Sequence, residues 1–165
     1  MAGKGLSIIV VGRRGAGKSN FLKGKISKAH KNSLCIFDKQ GEYKDYYDKP
    51  TPTFRQFITV AKQLSNSVQV WEEMTVFLSM RSSYEEIKEI CVDARHKNNM
   101  IFWVFHSLRT IPRDIFDLSD MVVLFKTNDG ATLVKNKFES EALNQAFENV
   151  SSNSNPHYFK IVKIE

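Results

Sequence analysis

Acidic residues are missing from the start of this chain. Between Met1 and Phe37 there is no aspartate or glutamate, while Lys4, Arg13, Arg14, Lys18, Lys23, Lys25, Lys28 and Lys31 all fall there. In a chain of net charge +6, so one-sided a segment points to a polyanionic partner, a nucleotide or a nucleic acid. For Lys23, Lys25, Lys28 and Lys31 the alternative is a solvated basic face. Cysteine is scarce: Cys35, in an apolar run, and Cys91, in a helical pattern, are the two present, and they read as buried, reduced thiols of a cytosolic protein. No apolar run approaches the roughly 20 residues a membrane helix needs. The apolar stretch near the N-terminus breaks into Gly12-Arg13-Arg14 without a small-residue cleavage site, which suits a buried strand better than a signal peptide. There is no internal repeat, linker or low-complexity tract. A length of 165 residues with 42% hydrophobic and 25% charged residues fits one domain with a buried core.

Strand and helix patterns alternate along the chain. SIIVV (7–11), SLCIF (33–37), SVQVW (67–71), MIFWVF (100–105) and MVVLF (121–125) are short apolar runs suited to strands buried on both faces. MIFWVF is the most apolar and should be central. Helical periodicity appears over 18–30, 53–64, 83–96, 113–118 and from Ser140 through Val150. Ser83 and Glu86 have the spacing of a capping box for the third of these. HYFKIVKI (157–164) alternates like an edge strand. The pattern predicts an α/β fold with a central, mostly parallel sheet and helices on both faces. In such a sheet the strands' C-terminal ends share one edge, and ligands bind there.

The segment Gly12-Arg13-Arg14-Gly15-Ala16-Gly17-Lys18-Ser19 lies between the first strand and the first helix. It fits G-x-x-x-x-G-K-[ST], the P-loop or Walker A pattern. Glycines let the backbone curl so that successive N–H groups converge on phosphate oxygens, and the helix adds the positive end of its dipole. Residues Gly12 to Ser19, with Asn20 following, are therefore the candidate nucleotide-binding set. Lys18 is expected on the β- and γ-phosphates, and the Ser19 hydroxyl on Mg²⁺. The other reading is a plain glycine-rich turn. VQVWEEMT (68–75) places two carboxylates at the end of a strand. Glu72 is the candidate Walker B acid for Mg²⁺, and Glu73 the candidate that orients the attacking water; without the P-loop they read as the solvated start of a helix. ATP and Mg²⁺ are the implied cofactors. A GTPase would need an Asn-Lys-x-Asp segment after a late strand, and NKFE (136–139) ends in Glu. A small-molecule kinase would need an arginine-rich lid, for which Arg109 and Arg113 are thin material.

LCIFDKQGEY (34–43), VQVWEEMTVFLS and ARHKNNMIFWVFHSLRTIPRDI together resemble, in order, the Asp-x-x-Gly-Glu-Tyr segment, the Walker B strand with its following helix, and the arginine, fourth strand and polar sensor of HerA-type ATPases in the HerA/FtsK superfamily. The resemblance covers most of residues 7 to 126. It implies a RecA/ASCE-like P-loop fold and a ring-forming ATPase, a hexamer or pentamer, that moves double-stranded DNA without sequence preference. By the resemblance Arg95 is a candidate finger on the neighbouring subunit's γ-phosphate, with Arg109 and Arg113 as further candidates; the alternative for Arg95 is a cation at a helix C-terminus. His106 stands where the family usually has Gln as the γ-phosphate sensor, and Ser107 beside it is a second candidate. Asp38 and Glu42 either organise the loop beside the nucleotide or are solvated loop acids. TNDGATLVKNK (127–137), with Lys135 and Lys137, and the basic first helix are two candidate DNA-gripping elements. No basic platform interleaved with aromatics is evident.

The chain is expected to be a single P-loop ATPase domain over 1–165, with its core at 7–126 and a C-terminal helix and edge strand at 139–165. That is the size of a minimal packaging motor, such as the genome-packaging ATPases of membrane-containing viruses. It would act in the host cytoplasm or with the virion, without a membrane span and with a capsid vertex or portal protein as partner. Two other classes stay open: a P-loop ATPase acting on protein, in secretion or phage assembly, and a nucleotide-gated binding module with little turnover.

Overall fold

A run of β-branched residues builds the first strand, β1 (Leu6–Val11). The computed structural model describes residues 5–29 and 33–164; Lys4 and Lys31 of the basic segment, and His30 at the expected end of the first helix, lie outside them. Alternate side chains of β1 enter two different cores: Ile9 and Val11 one, Ile8 and Val10 the other. That two-sided burial favours a nearly continuous apolar run; the one polar residue of β1, Ser7, is buried with its Oγ accepting Trp103 Nε1–H at 2.8 Å. β2 (Leu34–Phe37), β4 (Met100–Phe105) and β5 (Met121–Phe125) are apolar throughout, and β3 (Val68–Trp71) is so except for the buried Gln69, whose amide donates to Ala61 C=O at 3.2 Å and accepts Trp71 Nε1–H at 3.0 Å. β6 (Phe159–Lys163) is mostly exposed and closes the sheet as an edge. The sheet has six strands in the order β2-β3-β4-β1-β5-β6. β1 to β5 run parallel, and β6 pairs antiparallel with β5.

The two faces are covered unequally. α1 (Lys18–Ile26) packs Leu22 and Ile26 on one face, beside Tyr43 from the loop after β2. On the other lie residues of α2 (Phe54–Gln63), α3 (Met74–Ser79), α4 (Arg81–His96), α5 (Arg113–Asp117), α6 (Ala131–Phe138) and α7 (Glu141–Ser152). Each fully buried large apolar side chain contributes ~1.5–3 kcal/mol. Around the end of β3 the rings crowd together: Phe57 on Trp71 at 4.7 Å, Phe37 on Phe77 at 4.8 Å, Trp71 on Phe77 at 5.0 Å. This cluster pins α3 directly behind the acidic pair that ends the strand.

Local signals act as expected at two helix starts. Thr53 caps α2 in a reciprocal box with Gln56, and Ser140 accepts from Leu143 N–H at the start of α7. Ser83 does not cap α4. The helix begins two residues earlier, at Arg81, and Ser83 is buried in its first turn, donating its N–H to Met80 C=O at 2.9 Å. The reason is α3, which ends at Ser79, so the chain is already turning and needs no side-chain cap. Glu86 instead pairs with Arg55 and Lys62. Within the described residues α1 ends at Ile26, where Ser27 N–H bonds Lys23 C=O at 3.0 Å.

Candidate active site

The loop after β1 is tied into the sheet on both sides. Gly12 N–H donates to Phe105 C=O of β4 at 3.2 Å, and Arg13 N–H to Lys126 C=O at 2.8 Å, just past β5. A Cβ on Gly12 would lie 2.5 Å from the Phe125 Cβ, so only glycine fits between the strands. Gly17 takes φ 101°, a left-handed value, and turns the chain into α1. No side chain caps α1 and none of its first-turn residues is acidic, so no capping side chain occupies its leading amides. Lys18 reaches back into the loop: its Nζ donates to Gly12 C=O at 2.6 Å and Arg13 C=O at 3.1 Å. Burial lowers the Lys18 pKa, while the carboxylates of Glu72 and Glu42 oppose that shift.

Asp38, at the end of β2, organises the other wall. Its Oδ1 accepts Glu42 N–H at 2.9 Å and its Oδ2 accepts Tyr43 N–H at 2.8 Å. Thr51 Oγ1 donates to its carbonyl at 2.7 Å. This turn aims two side chains at the cradle. Ser19 Oγ donates to Glu42 Oε2. Tyr43, fully buried, donates its hydroxyl to Glu72 Oε1 at 2.5 Å. Burial drives the Glu72 pKa up from 4.5 to about 7, against the Tyr43 hydrogen bond, which lowers it. The Tyr43 hydroxyl is itself held far above the ordinary tyrosine range by burial and by Glu72. Of the two readings for Asp38 and Glu42, the geometry makes Asp38 a buried loop organiser, while Glu42 is exposed, with its carboxylate against Ser19.

Glu73 follows with φ 60° and ψ 37°, at the N-cap of α3. Glu72, Glu73, Lys18, Ser19, Asp38, Glu42 and His106 all face one cleft of about 270 Å³. Arg14, Gly15, Gly17 and Asn20 also line it. Gly12, Arg13 and Ala16 shape the loop from outside the lining: Ala16 is buried, and Arg13 is exposed.

His106, immediately after β4, places Nδ1 3.5 Å from the Lys18 Nζ. Burial lowers its pKa first and the Lys18 charge second, with Glu73 opposing. Ser107 is turned elsewhere: its Oγ donates to Asp129 Oδ1 at 2.6 Å and accepts Arg109 N–H at 3.1 Å. Of the two sensor candidates, His106 lines the cleft. Arg95 does not. It sits at the end of α4, at the edge where strands begin, in an ion pair with Asp120. The six residues of β4 separate that edge from the cleft by ~20 Å at the usual strand rise. Arg113 is engaged by Asp117, at 2.9 Å, and by Lys137 C=O. Arg109 is exposed near the cleft's edge of the sheet, and its guanidinium has no partner among the described residues. Of the two lysines singled out for DNA, Lys135 is exposed on α6. Lys137 donates its Nζ to Arg109 C=O at 2.5 Å and to Leu108 C=O at 3.4 Å, and burial lowers its pKa.

The donor set suits Mg²⁺. Ser19 Oγ and the Glu72 and Glu42 carboxylates are hard oxygen ligands, and Mg²⁺ is usually held by one or two carboxylates together with substrate phosphates. Among the described residues no group of three or more His, Cys, Asp or Glu side chains forms a metal cage. No described helix is long and apolar enough to cross a membrane.

A parallel sheet with the glycine loop after β1, the acidic pair after β3, and β4 between those two strands is the fold of a P-loop NTPase, α/β and mostly parallel. Solved structures share it along nearly the whole chain. The genome packaging NTPase B204 from Sulfolobus turreted icosahedral virus 2, in complex with ATP-gammaS, superposes with a TM-score of 0.77 at 18% identity, covering 97% of this chain and 92% of that one. The same NTPase with sulfate gives 0.75 at 20% identity over 98% and 92%. B204, the DNA-packaging ATPase from Sulfolobus turreted icosahedral virus, gives 0.71 at 18% over 98% of both chains. No protein-family model and no curated protein matches the sequence.

Tyr43 carries a sequence signal only as the last residue of the Asp-x-x-Gly-Glu-Tyr segment, and nothing in the periodicity of its polar loop marks its burial behind the cleft, on Glu72. His157, in the turn before β6, lines the cleft without any sequence signal read as functional.

Proposed function

We propose that this chain is an ATPase that pumps double-stranded DNA, a genome-packaging motor of the HerA/FtsK kind. The observation that carries the reading is the convergence of Lys18, Ser19, Glu72, Glu73 and His106 on one cleft around the glycine loop. The fold shared with the packaging NTPases supports it.

ATP enters with its phosphates over the loop. Lys18 exchanges the carbonyls of Gly12 and Arg13 for phosphate oxygens, and the amides at the start of α1 take the charge the dipole favours. Ser19 and Glu72, with Glu42 against Ser19, would hold Mg²⁺, which supplies neutralisation of the β- and γ-phosphate charge. Glu73 orients a water in line with the γ-phosphate and accepts its proton. His106, beside Lys18, donates to a γ-phosphate oxygen. In a homo-oligomeric ring Arg95 of one subunit reaches the next subunit's site, and such a finger is worth about 10³–10⁵ in rate. Lys135, with Lys25 on α1 and Lys28 just beyond it, grips DNA phosphates, so affinity falls steeply with salt. The whole chain acts as one ATPase domain, in the host cytoplasm or with the virion, against a capsid vertex or portal protein.

The test is ATP hydrolysis with and without double-stranded DNA, wild type against Glu73→Gln. DNA-stimulated turnover that the variant loses while still binding ATP is the expected result. Turnover indifferent to DNA supports an ATPase acting on protein instead. Nucleotide binding without turnover in any condition supports a nucleotide-gated binding module.

A further inference from the structure

The cleft is chemically lopsided. Its four acids, Asp38, Glu42, Glu72 and Glu73, come from the ends of β2 and β3, and His106 comes from the end of β4. All of these lie on one side of β1 in the strand order. On the other side, toward β5 and β6, the cleft has no acid among the described residues; its wall there is His157. A triphosphate with its metal and γ-end at the acids must leave its nucleoside pointing the other way.

His157 lies against the turn of the loop. Its Nδ1, Cβ and Cγ are 3.3, 3.6 and 3.7 Å from where a Cβ on Gly17 would stand. It is held by a chain of hydrogen bonds between backbone and side chains. His157 N–H donates to Asn155 Oδ1 at 2.9 Å, and Asn155 N–H to Asn153 Oδ1 at 2.9 Å. Lys126 Nζ donates to Asn153 C=O at 3.1 Å, and Lys126 C=O accepts from Arg13 of the loop itself at 2.8 Å. The turn and the phosphate cradle are thus one framework. The imidazole is exposed, and its ring nitrogens make no hydrogen bond among the described residues.

We infer that His157 is the nucleoside-binding wall of the site, its ring stacking on the base of the bound nucleotide. This rests on the reading of the cradle as a nucleotide site and adds to it the subsite that tells a nucleotide from a bare polyphosphate. Bases stack on aromatic side chains without regard to sequence, and removing one such ring weakens binding by about 5- to 150-fold.

The test is calorimetric titration of the full chain, wild type and His157→Ala, with MgATP and separately with magnesium tripolyphosphate. His157→Ala should bind ATP at least about fivefold more weakly while binding tripolyphosphate as wild type does, which also shows that its cradle is folded. Equal losses for both ligands would mean that His157 acts on phosphate and would overturn the inference. So would an ATP affinity indistinguishable from wild type. A wild-type protein that binds neither ligand would overturn the nucleotide reading itself, and this inference with it.

Discussion

Removing one oxygen from Tyr43 should move the acid limb of catalysis. The Tyr43 hydroxyl donates to Glu72 at 2.5 Å from a fully buried position, and it restrains the rise in the Glu72 pKa more than the Lys18 charge, which acts in the same direction. A hydrogen bond to a charged group is worth ~1.5–3 kcal/mol. One pKa unit corresponds to ~1.4 kcal/mol, so Tyr43→Phe should raise the Glu72 pKa by about 1–2 units above its value of about 7. At neutral pH most of the free enzyme would then carry a protonated Glu72, which cannot ligate a cation. The phenyl ring keeps the packing, so the fold should survive. The assay is kcat/KM for ATP against pH, which reports groups of the free enzyme, with Mg²⁺ titrated at pH 7. The acid limb should shift to higher pH by about a unit or more, and half-saturation should need more Mg²⁺. A folded variant with both quantities unchanged would refute the claim that Tyr43 sets the protonation of Glu72.

Other consequences can be checked directly. Glu72 makes the nucleotide-free protein's stability depend on pH: its folded pKa, about 7, lies above 4.5, so its contribution is complete below pH 4.5 and lost as pH rises through 7. Melting temperature should therefore fall over that interval in wild type, and Glu72→Gln should lose that component of the slope. Gly12→Ala forces a Cβ to 2.5 Å from Phe125; overpacking of this kind costs ~1–3 kcal/mol, visible as a lower melting temperature even without ligand. Arg95→Ala removes an exposed pair worth ~0–1 kcal/mol and should leave ATP binding intact while cutting turnover about 10³-fold. Mixing it with Glu73→Gln should restore activity, because the two lesions then complement across a subunit boundary; mixtures as inactive as either variant alone would rule out a finger in trans. Glu42→Gln should raise the Mg²⁺ needed for nucleotide binding, measured by calorimetry at fixed ATP.

The strands were readable because two-sided burial favours runs that are almost wholly apolar, and SIIVV or MIFWVF has no other good home; the buried polar exceptions, Ser7 and Gln69, are each satisfied by hydrogen bonds that the sequence does not announce. The cradle was readable for a similar reason: glycines at Gly12 and Gly17 answer a steric and a dihedral demand that few other turns make. Glu72 and Glu73 were legible only through their position after a strand. What escaped was set by tertiary contact. Ser83 carries a capping signal, yet α3 had already started the turn. Lys137 reads as a free cation, yet its ammonium meets the carbonyls of Leu108 and Arg109. Tyr43 meets Glu72 from a loop where a short motif records its presence but not its burial, and His157 reaches the cleft from a turn about 140 residues downstream of the cradle, a meeting that no local spacing records.

Glu73 stands in a left-handed conformation that costs a residue with a Cβ of order 1–3 kcal/mol, and the burial of Met74 and Phe77 behind it keeps the strain in place. Glycine or asparagine would sit there more comfortably. Heat selection acting on the fold alone would discard this glutamate early, and, on the role proposed for Glu73, a thermally toughened descendant would be a catalytically dead one.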